Sequence, residues 1–152
     1  MPRINLSIDD ELFNLLQEAA DKRNCTINVH IISILEGLYK QNPFDYESTL
    51  AQLIEETKEI PINDDFTLVK LPSFADICVA KAEDAKVKPS MVRARLGKMF
   101  NAAVSAEKIK IDGTKVIRQK DEAGKLKFIA RAAVYVRVKD NELSMDGEDN
   151  AN

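Results

Sequence analysis

Residues 3–8, Arg-Ile-Asn-Leu-Ser-Ile, alternate polar and apolar positions, which puts Ile4, Leu6 and Ile8 on one face of a strand and Arg3, Asn5 and Ser7 on the other. The period then changes. Leu12, Leu15, Leu16, Ala19 and Ala20 recur at helical spacing behind Asp9 and Asp10, which cap the helix, with acids in its first turn favoured by the macrodipole. Asn24 suits a left-handed turn at the end of this helix. A second helix begins at Thr26, a preferred N-cap, and carries Ile27, Ile31, Ile34, Leu35 and Leu38 on a stripe that Val29 and Ile32 widen. A helix apolar on most of its circumference needs burial on several sides, more than a forty-residue unit can supply alone.

Pro43 stops the second helix, and residues 45–59 offer a short amphipathic helix with Leu50, Leu53, Ile54 and Thr57 on one side. Pro61 and the Asn63-Asp64-Asp65 cluster mark a boundary, so residues 41–65 read as an acidic linker with a helical piece. Phe66 to Leu71 reads as a short strand. Pro72-Ser73 opens a helix bearing Phe74, Ile77 and Cys78, and Lys88-Pro89-Ser90 is a break and a fresh cap. The next helix, about residues 91–105, turns Val92, Leu96, Met99, Phe100, Ala103 and Val104 inward. Gly97 in its middle costs about 1 kcal/mol relative to Ala, which predicts a closely packed neighbour. Strand signals at 108–111 and 114–118 flank the turn Asp112-Gly113, and the alternating run 126–138 completes a long hairpin. The pattern predicts an α+β protein, with residues 140–152 a disordered acidic tail that lacks apolar periodicity.

Composition narrows the picture. In 152 residues, 45% hydrophobic and 31% charged, the apolar runs are too short to cross a bilayer, and the N-terminus has no signal-peptide core. The expectation is a soluble intracellular protein, cytoplasmic, at a bacterial nucleoid or in a host cytoplasm, with no membrane partner. Cys25 and Cys78 lie far apart and outside any C-x-x-C pattern, so they suggest neither a disulfide framework nor a zinc site.

Charge is segregated along the chain. The net charge of −3 divides into −8 for residues 1–65, +10 for 66–139 and −5 for 140–152. A +10 block suits a polyanion, because each cation placed near a phosphate releases a condensed counterion; a solvated lysine-rich surface is the other reading.

The strand, turn, helix, sharp turn and over-hydrophobic helix, carried by R-I-N-L-S-I-D-D-E-L and N-C-T-I-N-V-H-I-I-S-I-L, resemble the ribbon-helix-helix family of DNA-binding proteins over residues 3 to about 40. The resemblance implies an intertwined homodimer whose paired N-terminal strands enter the major groove of double-stranded DNA. On that resemblance, Arg3, Asn5 and Ser7 read base edges, while Thr26, Ile27 and Asn28 offer the first-turn amides of the second helix to a phosphate. The competing reading makes residues 3–8 an edge strand of a larger sheet. The segment holds four bases against six acids, so its grip on DNA needs help from elsewhere in the chain. His30, the only histidine, has no second ligand candidate near it in sequence and reads as a packed or interfacial residue.

Helix, break, helix and basic hairpin over 66–139 resemble a winged helix, in architecture rather than in motif. The resemblance implies a second DNA-contact surface, with Arg93, Arg95 and Lys98 on the helix and Lys115, Arg118, Lys120, Lys125 and Lys127 on the β-hairpin wing. The domain expectation is therefore a module at 1–40, a linker at 41–65, a basic domain at 66–139 and the tail.

No phosphate loop, H-E-x-x-H or G-x-S-x-G occurs, and one histidine cannot supply both metal ligands and a general base. Ser105-Ala-Glu-Lys108 fits S-x-x-K without its companion motifs. The expectation is no catalysis, no cofactor and no metal. The best reading is a dimeric, sequence-specific DNA-binding protein, a repressor or a plasmid or phage accessory factor, with oligomers above the dimer left open. The alternative is a protein-interaction module, for instance a phage-encoded inhibitor, offering its basic domain to a protein partner.

Overall fold

A computed structural model of the protein describes residues 2–140 and divides into two units, one up to Pro43 and one from Phe44 onward. The mixed α+β class is as expected. The expected acidic tail lies outside the described residues beyond Asp140, which itself pairs with Lys115 and donates its amide to Gly113 O. No helix among the described residues is long and apolar enough to cross a membrane.

The first unit holds α1 (Asp10–Lys22) and α2 (Ile27–Tyr39). Asp9 caps α1 by accepting from the Leu12 amide at 2.8 Å, and Thr26 caps α2 by accepting from the Val29 amide at 3.3 Å. Between them the chain reverses on Asn24, at φ 53°. The Cys25 amide donates to Ala20 O and the Asn24 amide to Asp21 O, the paired bonds of a Schellman turn. Only Ala20 and His30 of the two helices are buried.

Residues 3–8 form no strand, contrary to the alternation in the sequence. A strand exists through its ladder, and residues 3–8 pair with no strand among the described residues. Ile4 is 81% and Leu6 64% exposed.

In the second unit, α3 (Tyr46–Glu56) continues into a 3-10 turn at Thr57–Glu59, followed by β1 (Asp65–Phe66) and a 3-10 turn at Leu68–Lys70. Then come α4 (Pro72–Ala75), α5 (Ile77–Asp84) and α6 (Pro89–Ser105). Strands β2 (Lys110–Ile111), β3 (Thr114–Arg118), β4 (Phe128–Ile129), β5 (Ala132–Ala133) and β6 (Tyr135–Lys139) complete the unit. Four strands form one antiparallel sheet in the order β1-β6-β3-β2, and β4 and β5 pair as a separate hairpin. The β3/β6 register runs from Thr114 opposite Lys139 to Arg118 opposite Tyr135.

All six residues expected to face inward from α6 are buried. Five of them, all but Met99, meet Leu53, Phe66, Leu71, Cys78, Ala82, Ile109, Val116 and Tyr135 in one core. Leu53 being fully buried corrects the linker expectation: α3 is a wall of this unit, because Leu53 and the buried Thr49 and Thr57 need the core that α6 provides. Each threonine hydroxyl is satisfied locally, Thr49 on Asp45 O and Thr57 on Ile54 O. The Glu56 carboxylate accepts from the Ser73 amide and hydroxyl, which ties α3 to the start of α4.

Three further expectations change. Phe66 to Leu71 is a strand only at Asp65–Phe66 and then turns, so that Leu68 and Leu71 both reach the core while Val69 stays outside. The helix expected after Pro72 breaks at Asp76 into α4 and α5. The run 126–138 folds back on itself at Ala130 and Arg131, both in the left-handed region, at φ 48° and 68°.

A fragment beginning at Phe44 is expected to unfold cooperatively on thermal denaturation. One beginning at Phe66 is expected to lack a transition, because deleting α3 removes more than about 5 kcal/mol of packing, comparable to a domain's whole stability.

Candidate nucleic-acid interface

Arg3, Asn5 and Ser7 are exposed, and so are Ile4, Leu6 and Ile8 between them, so both faces of the segment meet solvent within one chain. Leu12, Phe13 and Leu15 on α1 and Ile32, Ile34, Leu35, Leu38 and Tyr39 on α2 are exposed as well. Eleven of the eighteen exposed large hydrophobic residues among the described ones therefore fall between residues 4 and 39. Single exposed hydrophobics are ordinary; this concentration on one small unit is not. Thr26 and Asn28 are exposed and Ile27 half-buried, and the Ile27 and Asn28 amides lie in the first turn of α2, where no intrahelical acceptor exists. His30 is buried with Nδ1 3.5 Å from the Arg23 guanidinium, linking the end of α1 to α2.

The cations of the second unit fall into two groups. Arg93 donates to the carbonyls of Phe74 and Ala75, and the Arg95 guanidinium lies 3.8 Å from the centre of the Tyr46 ring. Lys115 pairs with Glu107 and Asp140, and Lys127 with Asp65 at 2.6 Å. Arg118 donates to Asn101 Oδ1 at 2.8 Å and lies over the Phe128 and Tyr135 rings at 5.0 and 5.5 Å. These five hold the unit together. Lys98, Lys120 and Lys125 are exposed. Arg137, outside the expected set, is another internal tie, donating to Thr114 Oγ1 and to the carbonyls of Lys58 and Ile60.

Sequence reasoning missed two features. The first is the fold-back of the wing into a separate β4–β5 hairpin. Residues 119–134 form an excursion in which Lys120 bridges Leu126, the Asp121 carboxylate accepts from the Ala123 and Lys125 amides, and β4 and β5 project Phe128 and Ile129 into solvent. The available signal was the pair Phe128-Ile129, hidden inside an alternating run. The second is a groove of about 320 Å3 between the outer face of α6 and β5, lined by Ala94, Gly97, Lys98, Asn101, Ala132 and Ala133, with Leu68, Val69, Phe74 and Tyr135. Gly97 opens onto this space, and a Cβ there would meet nothing within 4 Å, so the packed neighbour expected at this glycine is absent.

Asp65 anchors the wing to the sheet. Its Oδ2 takes the Lys127 ammonium and its Oδ1 the Gln119 amide at 2.7 Å, and these bonds, Lys127 first, hold the carboxyl below the ordinary aspartate range. Burial acts the other way on the Cys78 thiol and the Tyr135 phenol, pushing both up. Among the described residues no three His, Cys, Asp or Glu side chains are grouped to hold a metal ion.

Comparison with protein-family models, curated proteins and solved structures finds no match to this chain.

Gly97→Ala is expected to stabilise the second unit by about 1 kcal/mol, read as a higher denaturant midpoint at unchanged slope. A carboxyl with a depressed folded pKa contributes stability above its unfolded pKa and loses it as pH falls through the folded one. Asp65→Asn should therefore cost about 0.5–1 kcal/mol at pH 7, the pair being partly exposed, and in chemical denaturation the wild-type advantage should begin to fall below about pH 4 and vanish as pH drops through the lower folded pKa.

Proposed function

We propose that the protein is a non-enzymatic, homodimeric, sequence-specific binder of double-stranded DNA, acting as a repressor or as a plasmid or phage accessory factor. In this reading the first unit is a ribbon-helix-helix module and the second is winged-helix-like. The observation that carries the reading is the concentration of exposed apolar side chains on residues 4–39, interleaved with exposed Arg3, Asn5 and Ser7. Pairing with a second copy buries the apolar set and supplies the missing ladder partner for residues 3–8. It also leaves the polar set on the outer face of a two-stranded ribbon, of a width the major groove admits.

The element order of the second unit supports the other half. Helix α3, strand β1, helices α4 and α5, helix α6 and the β3/β6 hairpin follow one another, with β1 added to β6 and the wing between β3 and β6. Of the eight cations expected to meet DNA, Lys98, Lys120 and Lys125 are exposed and the other five are engaged within the unit, so the grip on DNA is weaker than +10 suggests.

The protein-interaction reading has its own support in the apolar groove beside α6, which lies on the face a recognition helix would present and bears one charged residue, Lys98.

Fluorescence anisotropy of the full chain against random and selection-enriched duplexes, over a salt series, separates the two. DNA binding predicts salt-steep affinity with preference for the enriched duplex, and Arg3→Ala or Asn5→Ala removing that preference while thermal stability holds. Lys120→Ala and Lys125→Ala weaken binding on all sequences and flatten the salt slope by about one unit per lost phosphate contact. Salt-insensitive behaviour with no DNA affinity would leave the interaction module as the function.

A further inference from the structure

We propose that the β4–β5 hairpin is a wedge that stacks Phe128 against a base step of duplex DNA and unwinds it. The proposal rests on the DNA-binding reading above and goes beyond it, from phosphate contacts to deformation of the duplex.

The geometry carries the argument. Phe128 is 58% and Ile129 52% exposed, and Leu126 beside them is exposed too. Phe128 pairs with Ala133 and Ile129 with Ala132, so the ribbon is two residues long on each side and its partner strand carries only methyl groups. The two apolar side chains therefore stand out from a thin support, on opposite faces of the ribbon. Its turn consists of Ala130 and Arg131, both left-handed, where Asn-Gly is the relaxed choice. A tight turn held by non-glycine residues keeps the ribbon narrow and puts a cation at its tip.

The inner face of Phe128 is already occupied. The Arg118 guanidinium lies 5.0 Å from that ring and 5.5 Å from the ring of the buried Tyr135, and is fixed by Asn101. Its Nε and Nη2 are buried and make no hydrogen bond, so the planar cation spends that face on the aromatic rings. Phe128 is thus oriented from beneath by a side chain rooted in the core. Its exposed surface is free for a flat apolar partner, and every nucleobase offers a π-face.

Charge selects the class of partner. The wing segment 119–134 carries four cations, Lys120, Lys125, Lys127 and Arg131, against two exposed acids, Glu122 and Asp121, and the Asp121 carboxylate is turned into its own loop. Apolar side chains on a net-positive segment match a duplex, whose phosphates flank stacked bases. Proteins that insert Phe, Leu or Ile between base pairs unstack the step and distort the helix.

The test uses the full chain and relaxed closed-circular plasmid DNA with topoisomerase I, followed by gel analysis of topoisomers. Wild type is expected to lower the linking number in proportion to bound protein. Phe128→Ala, an exposed position, is expected to keep a cooperative thermal transition at a lower midpoint, since Arg118 loses one aromatic face, to lose about tenfold in affinity at every salt concentration with unchanged salt slope, and to lose the topoisomer shift. Ile129→Ser should reduce the shift as an independent check, and Lys120→Ala should flatten the salt slope while keeping the shift. Binding without a linking-number change, or a full shift by Phe128→Ala, overturns the wedge and leaves DNA binding standing. No plasmid binding at any salt overturns both.

Discussion

The second unit turns on the place where Tyr135 meets Arg118. Tyr135 is almost fully buried where β6 faces α6. Its ring lies edge-on to Phe100 at 5.1 Å and tilted against Phe66 at 5.8 Å, so one side chain draws β1, β6 and α6 together. Arg118 leaves the facing strand and lies over that ring, and Asn101 of α6 accepts from its guanidinium. The same guanidinium carries Phe128 on the wing. A cation buried without full hydrogen bonding is costly unless something else compensates, and here two aromatic faces and one amide do so. The wing's attachment to the core is therefore an aromatic and cationic stack, with the Asp65–Lys127 pair as a second tie.

This arrangement changes what the +10 of residues 66–139 means. Net charge describes the long-range field, and that survives folding. Short-range phosphate contact needs a side chain free to move to the phosphate. Arg93, Arg95, Lys115, Arg118, Lys127 and Arg137 are engaged with carbonyls, rings or carboxylates of the unit. Arginine's planar fork makes it suited to such internal roles, and four of these six are arginines. The exposed cations are mostly lysines, compact charges on flexible stems, better fitted to a sequence-independent backbone grip than to base reading.

Legibility followed the same division. Helices with a periodic stripe were readable: all six inward residues of α6 are buried, and Asp9, Asn24 and Thr26 cap and turn as their chemistry dictates. The helix ends at Lys86 and Glu107 use the same left-handed turn as Asn24 but with residues that carry no such preference, so they gave no signal. Ala130 and Arg131 hid the fold-back of the wing for the same reason, and the alternation on either side read as one strand. The helix at 46–56 was visible, but its placement was not, because an acidic outer face resembles a linker until the core beneath it is known. For the candidate interface, residue type and spacing proposed cations, and only packing could say which were free.

The first unit poses the opposite problem. Its local chemistry is satisfied throughout, with both helices capped and the reversal between them closed by two hydrogen bonds, yet its apolar side chains remain outside. Local structure and burial are separate requirements, and forty residues meet the first far more easily than the second. A chain that spends Ile, Leu and Phe at strand and helix period without a core of its own folds stably when a complementary surface arrives. A second copy has the matching pattern by construction, since each copy presents the same apolar face and the same unpaired segment. On the proposed reading, dimerisation is then coupled to the strand pairing of residues 3–8. On that same reading the two-stranded ribbon forms together with the dimer rather than before it.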